Sequence, residues 1–345
     1  MFKNAYISLI FVLVFSFIIS CGNKKDEKVT ENKDTSGVAN LIKKDPVTGK
    51  DKVVPKYIVQ KGNKFSYKLT EKNMVTQKGT ITQNKEVGQS SENNYYYTKE
   101  VTDVDNAAGI ITYKVQYDSI VMSAKMDTQV VAYNSNVKDT NNMNAALVKM
   151  YNSIVNEPFY IRVSQEGEIT DVYGLEKIHE NIFKALGDTL NDQEKAQVKD
   201  SFGKDAIKEV LQQEYQVFPK QEVSVDSSWI RSYNTALSVF EVVNTAKYTL
   251  KSIENKNNQF IFNINAGLNV EFLKKDVQEK GIKFVVENSE TSGSGNIVFN
   301  FSRGCIVNKE TSTAVTLGVR MSSGGQSAKN EEKVTSSTSV TLLNK

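Results

Sequence analysis

From Phe260 to Phe272 the chain alternates with a period of two. Phe260, Phe262, Ile264, Ala266, Leu268, Val270 and Phe272 fall on one side, and Ile261, Asn263, Asn265, Gly267, Asn269 and Glu271 on the other. That period belongs to an extended strand with one buried face, because a helix repeats every three to four residues. The pattern recurs along most of the chain. Phe65, Tyr67 and Leu69 begin the series, and Tyr95, Tyr97, Lys99 and Val101 continue it. Ile111, Tyr113, Val115, Tyr117, Ser119 and Val121 form a long alternating stretch, with shorter ones at Gln129 to Tyr133 and at Phe159, Ile161 and Val163. Late in the chain come Ile282, Phe284 and Val286, then Ile297, Phe299 and Phe301, then Val315, Leu317 and Val319, and finally Val340 with Leu342. The polar half of each alternation means that one face of each sheet meets water, as antiparallel sheets allow. Four prolines against 15 Tyr and 16 Phe suit the same class.

The centre has a different period. Leu175, Ile178, Ile182, Phe183 and Leu186 recur at helical spacing, and Asn191 followed by Glu194 has the form of a capping box. A second helical stretch carries Val198, Phe202, Ile207, Val210, Leu211 and Tyr215, with Gly203 as a break and Phe218-Pro219 as its end. Asn144 to Ile154 reads as a short amphipathic helix, and the Ser/Gly/Lys-rich piece Ser322 to Glu332 as a mobile hairpin tip or loop.

The two strand blocks align with each other. Val101 to Val121 matches Leu250 to Val270 without a gap, Ile111 falling on Phe260, Tyr113 on Phe262 and Val115 on Ile264. Val131 to Ser135 then resembles Val285 to Ser289, and Tyr160 to Ser164, before Gly167, resembles Ile297 to Ser302, before Gly304. Any two amphipathic hairpins share hydrophobicity, but three matching segments in the same order favour duplication. The expected fold is α+β, mainly β. Two related antiparallel meanders, curved sheets or half-barrels over 56–173 and 220–345, are joined by a helical segment over 174–219.

Ahead of the folded part, Lys3 precedes an apolar run from Ala5 to Ile19, and Ser20 precedes Cys21. The run is short for a spanning helix, which needs about 20 apolar residues, and its flanks fit a cleaved signal. Ile18-Ile19-Ser20-Cys21 resembles the bacterial lipobox, so residues 1–20 are expected to be a lipoprotein signal peptide and Cys21 the lipidated residue. Residues 21–55 then read as a flexible tether, since the stretch to about Asp51 has too little apolar surface to offset the entropy of ordering. Lys24-Lys25-Asp26-Glu27 resembles the surface-export signal of Bacteroidota lipoproteins.

The layout, with Phe218-Pro219, then Val223-Ser224-Val225-Asp226-Ser227-Ser228-Trp229, then Ser292-Gly293-Ser294-Gly295 before Val298-Phe299, resembles a Bacteroidota lipoprotein family of unknown function. The sequence departs from that family at Asp226-Ser227, where the family usually has Gly-Asp. The resemblance implies a duplicated β-rich envelope protein and no particular activity.

Reactive chemistry is sparse. With 43 basic and 40 acidic residues the net charge is +3, without the concentrated basic surface of a nucleic-acid binder. Cys21 and Cys305 are the only cysteines, which excludes a disulfide framework and a cysteine metal site. His179 is the only imidazole and sits on the apolar stripe of a helix, as a core-boundary histidine would. Cys305 reads as a half-buried structural cysteine, Asp103-Val104-Asp105 as a solvated turn, and Trp229 as an anchor between the helical segment and the second meander. Ser119 and Thr189 sit in triplets resembling the Bacteroidota O-glycosylation pattern, Thr189 being the accessible one. No catalytic, cofactor or metal residue is expected. The function expected is a non-enzymatic lipoprotein anchored to the outer membrane, binding an apolar ligand or an envelope partner through a sheet–helix crevice. A purely structural or assembly role is the alternative, and a carboxylate-dependent hydrolase a third reading. Oligomeric state is left open.

Overall fold

The computed structural model describes residues 38–80, 82–126, 128–137, 144–187 and 190–343. The leader, Cys21, the first part of the tether and Thr189 lie outside the described residues. The chain enters through a 3-10 turn, Val38–Leu41, and two short strands, β1 (Lys43–Lys44) and β2 (Asp51–Val53). The first meander comprises β3 (Lys64–Gly79), β4 (Val87–Asp105), β5 (Ile110–Met126), β6 (Gln129–Asn134), β7 (Phe159–Ser164) and β8 (Ile169–Tyr173), with helix α1 (Ala145–Asn152) between β6 and β7. Helices α2 (Glu176–Leu186), α3 (Asp192–Ser201) and α4 (Lys204–Gln212) follow, then β9 (Val223–Ser224). The second meander is β10 (Ser228–Leu237), β11 (Phe240–Lys256), β12 (Gln259–Phe272), β13 (Asp276–Glu279), β14 (Ile282–Asn300), β15 (Cys305–Ser323) and β16 (Gln326–Leu342).

All the long strands join one curved, open, 13-stranded antiparallel sheet in the order β10-β11-β12-β14-β15-β16-β3-β4-β5-β7-β8, with β13 on β14 and β6 on β5. The last strand closes against the first: Leu342 lies opposite Tyr67 and Asn330 opposite Gly79, so the β16–β3 seam welds the two meanders side by side.

The internal repeat has a structural counterpart. Register shifts fall between Val101 and Asp103 on β4 and between Leu250 and Ser252 on β11, the same positions in the ungapped alignment. Tyr113 faces Ile161 as its counterpart Phe262 faces Phe299. The copies differ at their tips. Asp105 pairs with Ile110 across a four-residue turn, and Lys256 with Gln259 across two residues, Asn257 and Asn258, at φ 52° and 62°. They differ again where α1 interrupts the first copy, because β6 and β7 correspond to the single strand β14.

Three expectations need correction. Residues 38–55, read as tether, belong to the body: β2 pairs with β1 and β9, and Val53 is buried because its neighbours bring it under the sheet. Ser322 to Glu332 does hold a hairpin tip, but a far shorter one than expected. Gly324 and Gly325, both at positive φ, form a two-residue tip, and the flanking polar residues are strand. The segments at Ile282 and Ile297 are one strand, continued through Ser289–Asn296 by ladder bonds to β15, with β12 joining on the other side from Gly293.

The inward face of the sheet carries the core. Phe65, Tyr67, Leu69, Tyr97, Tyr113, Val115, Phe262, Phe299 and Phe301 are buried there. Helix α2 covers them with Leu175, Ile178 and Ile182, and α4 with Ile207 and Leu211. Asn191 and Glu194 exchange side-chain-to-backbone bonds at the start of α3, and Gly203 caps α4. A second apolar cluster, with Phe240, Val242, Phe284, Val286 and Leu317, lies at the far end of the second meander. There β12 and β14 part company beyond Leu268–Gly293.

The repeat-equivalent turns after β7 and β14 each need a glycine. Gly167 has φ 99°, and a Cβ there would meet the Gln216 carbonyl and the Tyr57 ring at 2.5 Å. Gly304 has φ 60°, and its Cβ would meet Ile58 backbone atoms at 2.4–2.8 Å. Gly167→Ala and Gly304→Ala are each expected to cost about 2–3 kcal/mol in chemical denaturation, from left-handed strain plus displaced backbone. Gly325→Ala, also at positive φ but in open space, is expected to cost about 1 kcal/mol.

Candidate functional site

After α4 the chain does not return to the surface. Glu214, Tyr215, Gln216, Val217 and Phe218 form an extended strap, each residue at most 8% exposed, which runs between the sheet and the segment around Tyr57. Buried irregular backbone needs partners for its polar groups, and both meanders supply some of them. Gln216 N–H donates to the Tyr57 hydroxyl at 2.8 Å, and Phe218 N–H to the Glu166 carbonyl at 2.8 Å. The Tyr215 carbonyl accepts from Lys309 Nζ at 2.9 Å, and the Val217 carbonyl from Trp229 Nε1 at 3.3 Å. Tyr57 packs against Tyr215, Phe218 and Phe299 with ring centroids 5.0–5.6 Å apart.

At the head of the strap, Glu214 forms an ion pair with Lys99, both 1% exposed. The other Glu214 oxygen accepts from the Tyr97 hydroxyl at 2.7 Å, and Lys99 Nζ also donates to the Tyr215 hydroxyl at 2.9 Å. The ammonium lies 4.3–5.6 Å from the ring centroids of Tyr215, Tyr113, Tyr67 and Phe65, within cation–π range. Burial pulls the Lys99 ammonium below its ordinary pKa, against the opposing attraction of Glu214. Burial likewise brings Lys309 down to about 8, again opposed by Glu214. The Tyr57, Tyr67, Tyr97, Tyr113 and Tyr215 hydroxyls are held well above the usual phenol value, mainly by burial. The pair is a structural clasp: each charge is matched, hydrogen-bonded and closed off from solvent.

One residue away, Gln213 points to a different environment. Its Nε2 donates to Glu71, and its Oε1 accepts from the Thr338 hydroxyl at 2.8 Å. These residues, with Asn73, Thr311, Thr313, Ser336 and Ser337, line a chamber of about 30 Å³ on the inward face of β3, β16 and β15. Asn93 and Tyr95 also hydrogen-bond to the Glu71 carboxylate, which burial nevertheless raises above its ordinary value. Glu71 is the only carboxylate among the described lining residues. No group of three metal-binding His, Cys, Asp or Glu side chains occurs among the described residues. On the outward face, a groove of about 380 Å³ is lined by Lys72, Met74, Glu92, Lys125, Val130 and Thr335 among others.

The residues singled out by sequence are scattered rather than gathered. His179 is half-buried on α2, with Nε2 3.1 Å from the Phe202 carbonyl and its ring beside Phe183. Cys305 is wholly buried rather than half-buried, because the turn before it is roofed by Ile58, and burial raises its thiol to about 11, as for an inert cysteine. Asp105 accepts from the N–H groups of Ala107 and Ala108 in a solvated turn. Ser119 is buried on β5. Trp229 anchors the strap to the second meander, with its ring against Phe218 and Tyr248. The residues that sequence reasoning passed over are Lys99, Lys309 and Glu71. All three sit on the inward side of their alternations, which was the available signal.

Fold and site together define an open antiparallel β protein with an internally strapped core. The profile of a protein family described as a family of unknown function (DUF6263) matches residues 108–306, and the chain belongs to that family. No curated protein matches the sequence. Among solved structures, lipovitellin, described for its lipid–protein interactions, is 10% identical with a TM-score of 0.40, over 83% of this chain and 25% of that one. The chain thus spans about a quarter of lipovitellin's length. Pseudomonas aeruginosa OpdL is 7% identical with a TM-score of 0.21, over 81% of this chain and 99% of that one. At such scores the likeness carries no conclusion about function.

Removing one member of a buried pair leaves the other charge desolvated and unmatched, which costs about 3–5 kcal/mol. Lys99→Met and Glu214→Gln are each expected to lose that much in urea denaturation. The double variant is expected to recover most of it, giving a large coupling energy in the double-mutant cycle.

Proposed function

We propose that this chain is a lipid-anchored, non-enzymatic lipoprotein of the bacterial outer membrane, whose body acts by binding an envelope partner. The observation that carries the anchoring is the apolar run Ala5 to Ile19 ending at Ser20-Cys21 behind Lys3. The body's design supports a binding role. Its one buried ion pair among the described residues, Lys99–Glu214, clasps the strap, and Cys305 and His179 lie on separate elements. The outward groove joins exposed Met74 and Val130, each 48% exposed, to the Lys72–Glu92 ion pair and Lys125. Apolar side chains ringed by mixed charge suit a protein partner.

A second reading, an apolar ligand, has its own support at the far apolar cluster. Beyond Leu268–Gly293 the strands diverge, and the partly buried Phe272, Val277, Ile282 and Val319 border the cluster.

The test combines fatty-acid labelling with photo-crosslinking in cells. The wild-type chain is expected to take up an alkyne fatty acid and Cys21→Ala to take up none. A photo-crosslinker at Met74 is expected to capture a discrete envelope protein, whereas one at the exposed Ile230 of β10 is not. An unlabelled wild-type chain would contradict the anchor. Absence of a Met74-specific adduct, with acyl lipid recovered by extraction, would favour the second reading.

A further inference from the structure

The Glu71 carboxylate is 5% exposed, and no cationic side chain contributes to its electrostatic surroundings. Its partners are neutral donors: Gln213 Nε2, Asn93 and Tyr95. Gln213 is held in that orientation because its oxygen is taken by the Thr338 hydroxyl. Burial raises the Glu71 pKa, and the three donors, which favour the ionised form, oppose that shift; the ionised carboxylate would stand inside the sheet without a counter-charge, an arrangement that calls for a cation.

The chamber beside Glu71 supplies the place for one. Asn73, 9% exposed, lines it and makes no side-chain hydrogen bond among the described residues, its cross-strand neighbours being Ser91 and Ser336. The Ser336 and Ser91 hydroxyls are buried without a protein partner. Thr311 and Thr313 complete a wall rich in neutral oxygens. A volume of about 30 Å³ accommodates an ion with about one water, given that a single water needs roughly 10–15 Å³.

We propose that this chamber is a binding site for one alkali-metal cation, sodium or potassium, held by oxygens of Asn73, Thr311, Thr313 and Ser336 with Glu71 as counter-charge. The chemistry selects the class. Structural zinc sites are tetrahedral and built from Cys and His sets, and the wall offers neither imidazole nor thiolate. Calcium takes six to eight oxygens, commonly with several carboxylates, and magnesium retains its waters in an octahedron. One carboxylate among neutral hydroxyls and an amide balances a single positive charge.

The experiment is thermal unfolding of the full-length protein in detergent, at constant ionic strength, in sodium chloride, potassium chloride and N-methylglucamine chloride. A saturable rise in Tm of about 2–4 °C is expected with sodium or potassium over the organic cation. Glu71→Gln is expected to abolish the difference. Thr313→Val, which keeps the side-chain shape and removes one oxygen, should raise the half-saturating concentration roughly tenfold. It also serves if Glu71→Gln does not fold. Equal Tm values in the three salts would overturn the proposal, leaving water beside a protonated Glu71. A sodium or potassium effect that persists unchanged in the variants would overturn it as well, by locating the cation elsewhere.

Discussion

The ion pair between Lys99 and Glu214 is the interaction on which the rest of the structure depends. Burying two charges costs several kcal/mol per ion, and the attraction offsets that only when geometry and additional hydrogen bonds are good. Here Tyr97 and Tyr215 supply those bonds, and four aromatic rings surround the ammonium. The consequence is topological. Glu214 heads a strap that cannot leave the sheet without stranding Lys99. The same strap is bonded by Glu166 and Tyr57 on one side and by Lys309 and Trp229 on the other. Two meanders paired edge to edge at β16 and β3 are thereby also joined through their interior.

Much of the sheet was legible in the sequence because a period of two is a geometric demand of the pleat. Phe260 to Phe272 and Ile111 to Val121 are strands of the kind their spacing requires. The capping box at Asn191 is also where its chemistry puts it. The failures have physical causes. Ser289–Asn296 and Gln326–Glu332 lack alternating apolar residues, yet ladder bonds to β15 along their whole length, joined by β12 from Gly293 and by β3 from Asn330, hold them extended. Residues 38–55 look too polar to order on their own, but Val53 and Tyr57 reach the core and bring their neighbours with them. The strap has no local period at all; it is fixed by partners far away in sequence, which single-chain pattern reading does not reach. The informative anomaly was parity. Lys99 follows Tyr97 on the apolar side of its alternation, Glu71 follows Leu69, and Lys309 shares its side with Val315 and Leu317. A charge on the inward register is either an error in the strand reading or a buried partner, and here each is a buried partner.

This division of labour frames the functional reading. The inward face holds a closed clasp and, beside it, an oxygen-lined chamber around Glu71, so the interior is organised for integrity and for one small guest. The outward face is left to display Met74 and Val130 among charges. Membership of the family of unknown function spans residues 108–306, which include the helical segment, the whole strap and most of the second meander. The strap lies inside the matched region while its partners Tyr57, Tyr97, Lys99 and Lys309 lie outside it, and the outward groove, built from β3, β4, β5, β6 and β16, lies partly outside it as well.

Native-state hydrogen exchange tests the central claim most directly. If the strap joins the two meanders, the amides of Gln216 and Phe218, donated to the Tyr57 hydroxyl and the Glu166 carbonyl, open only with global unfolding. They should then exchange as slowly as the central strand amides around Tyr113 and Phe262. Exchange of those two amides at loop rates while the strands stay protected would contradict the account, leaving the strap a dispensable insertion between two independently held sheets.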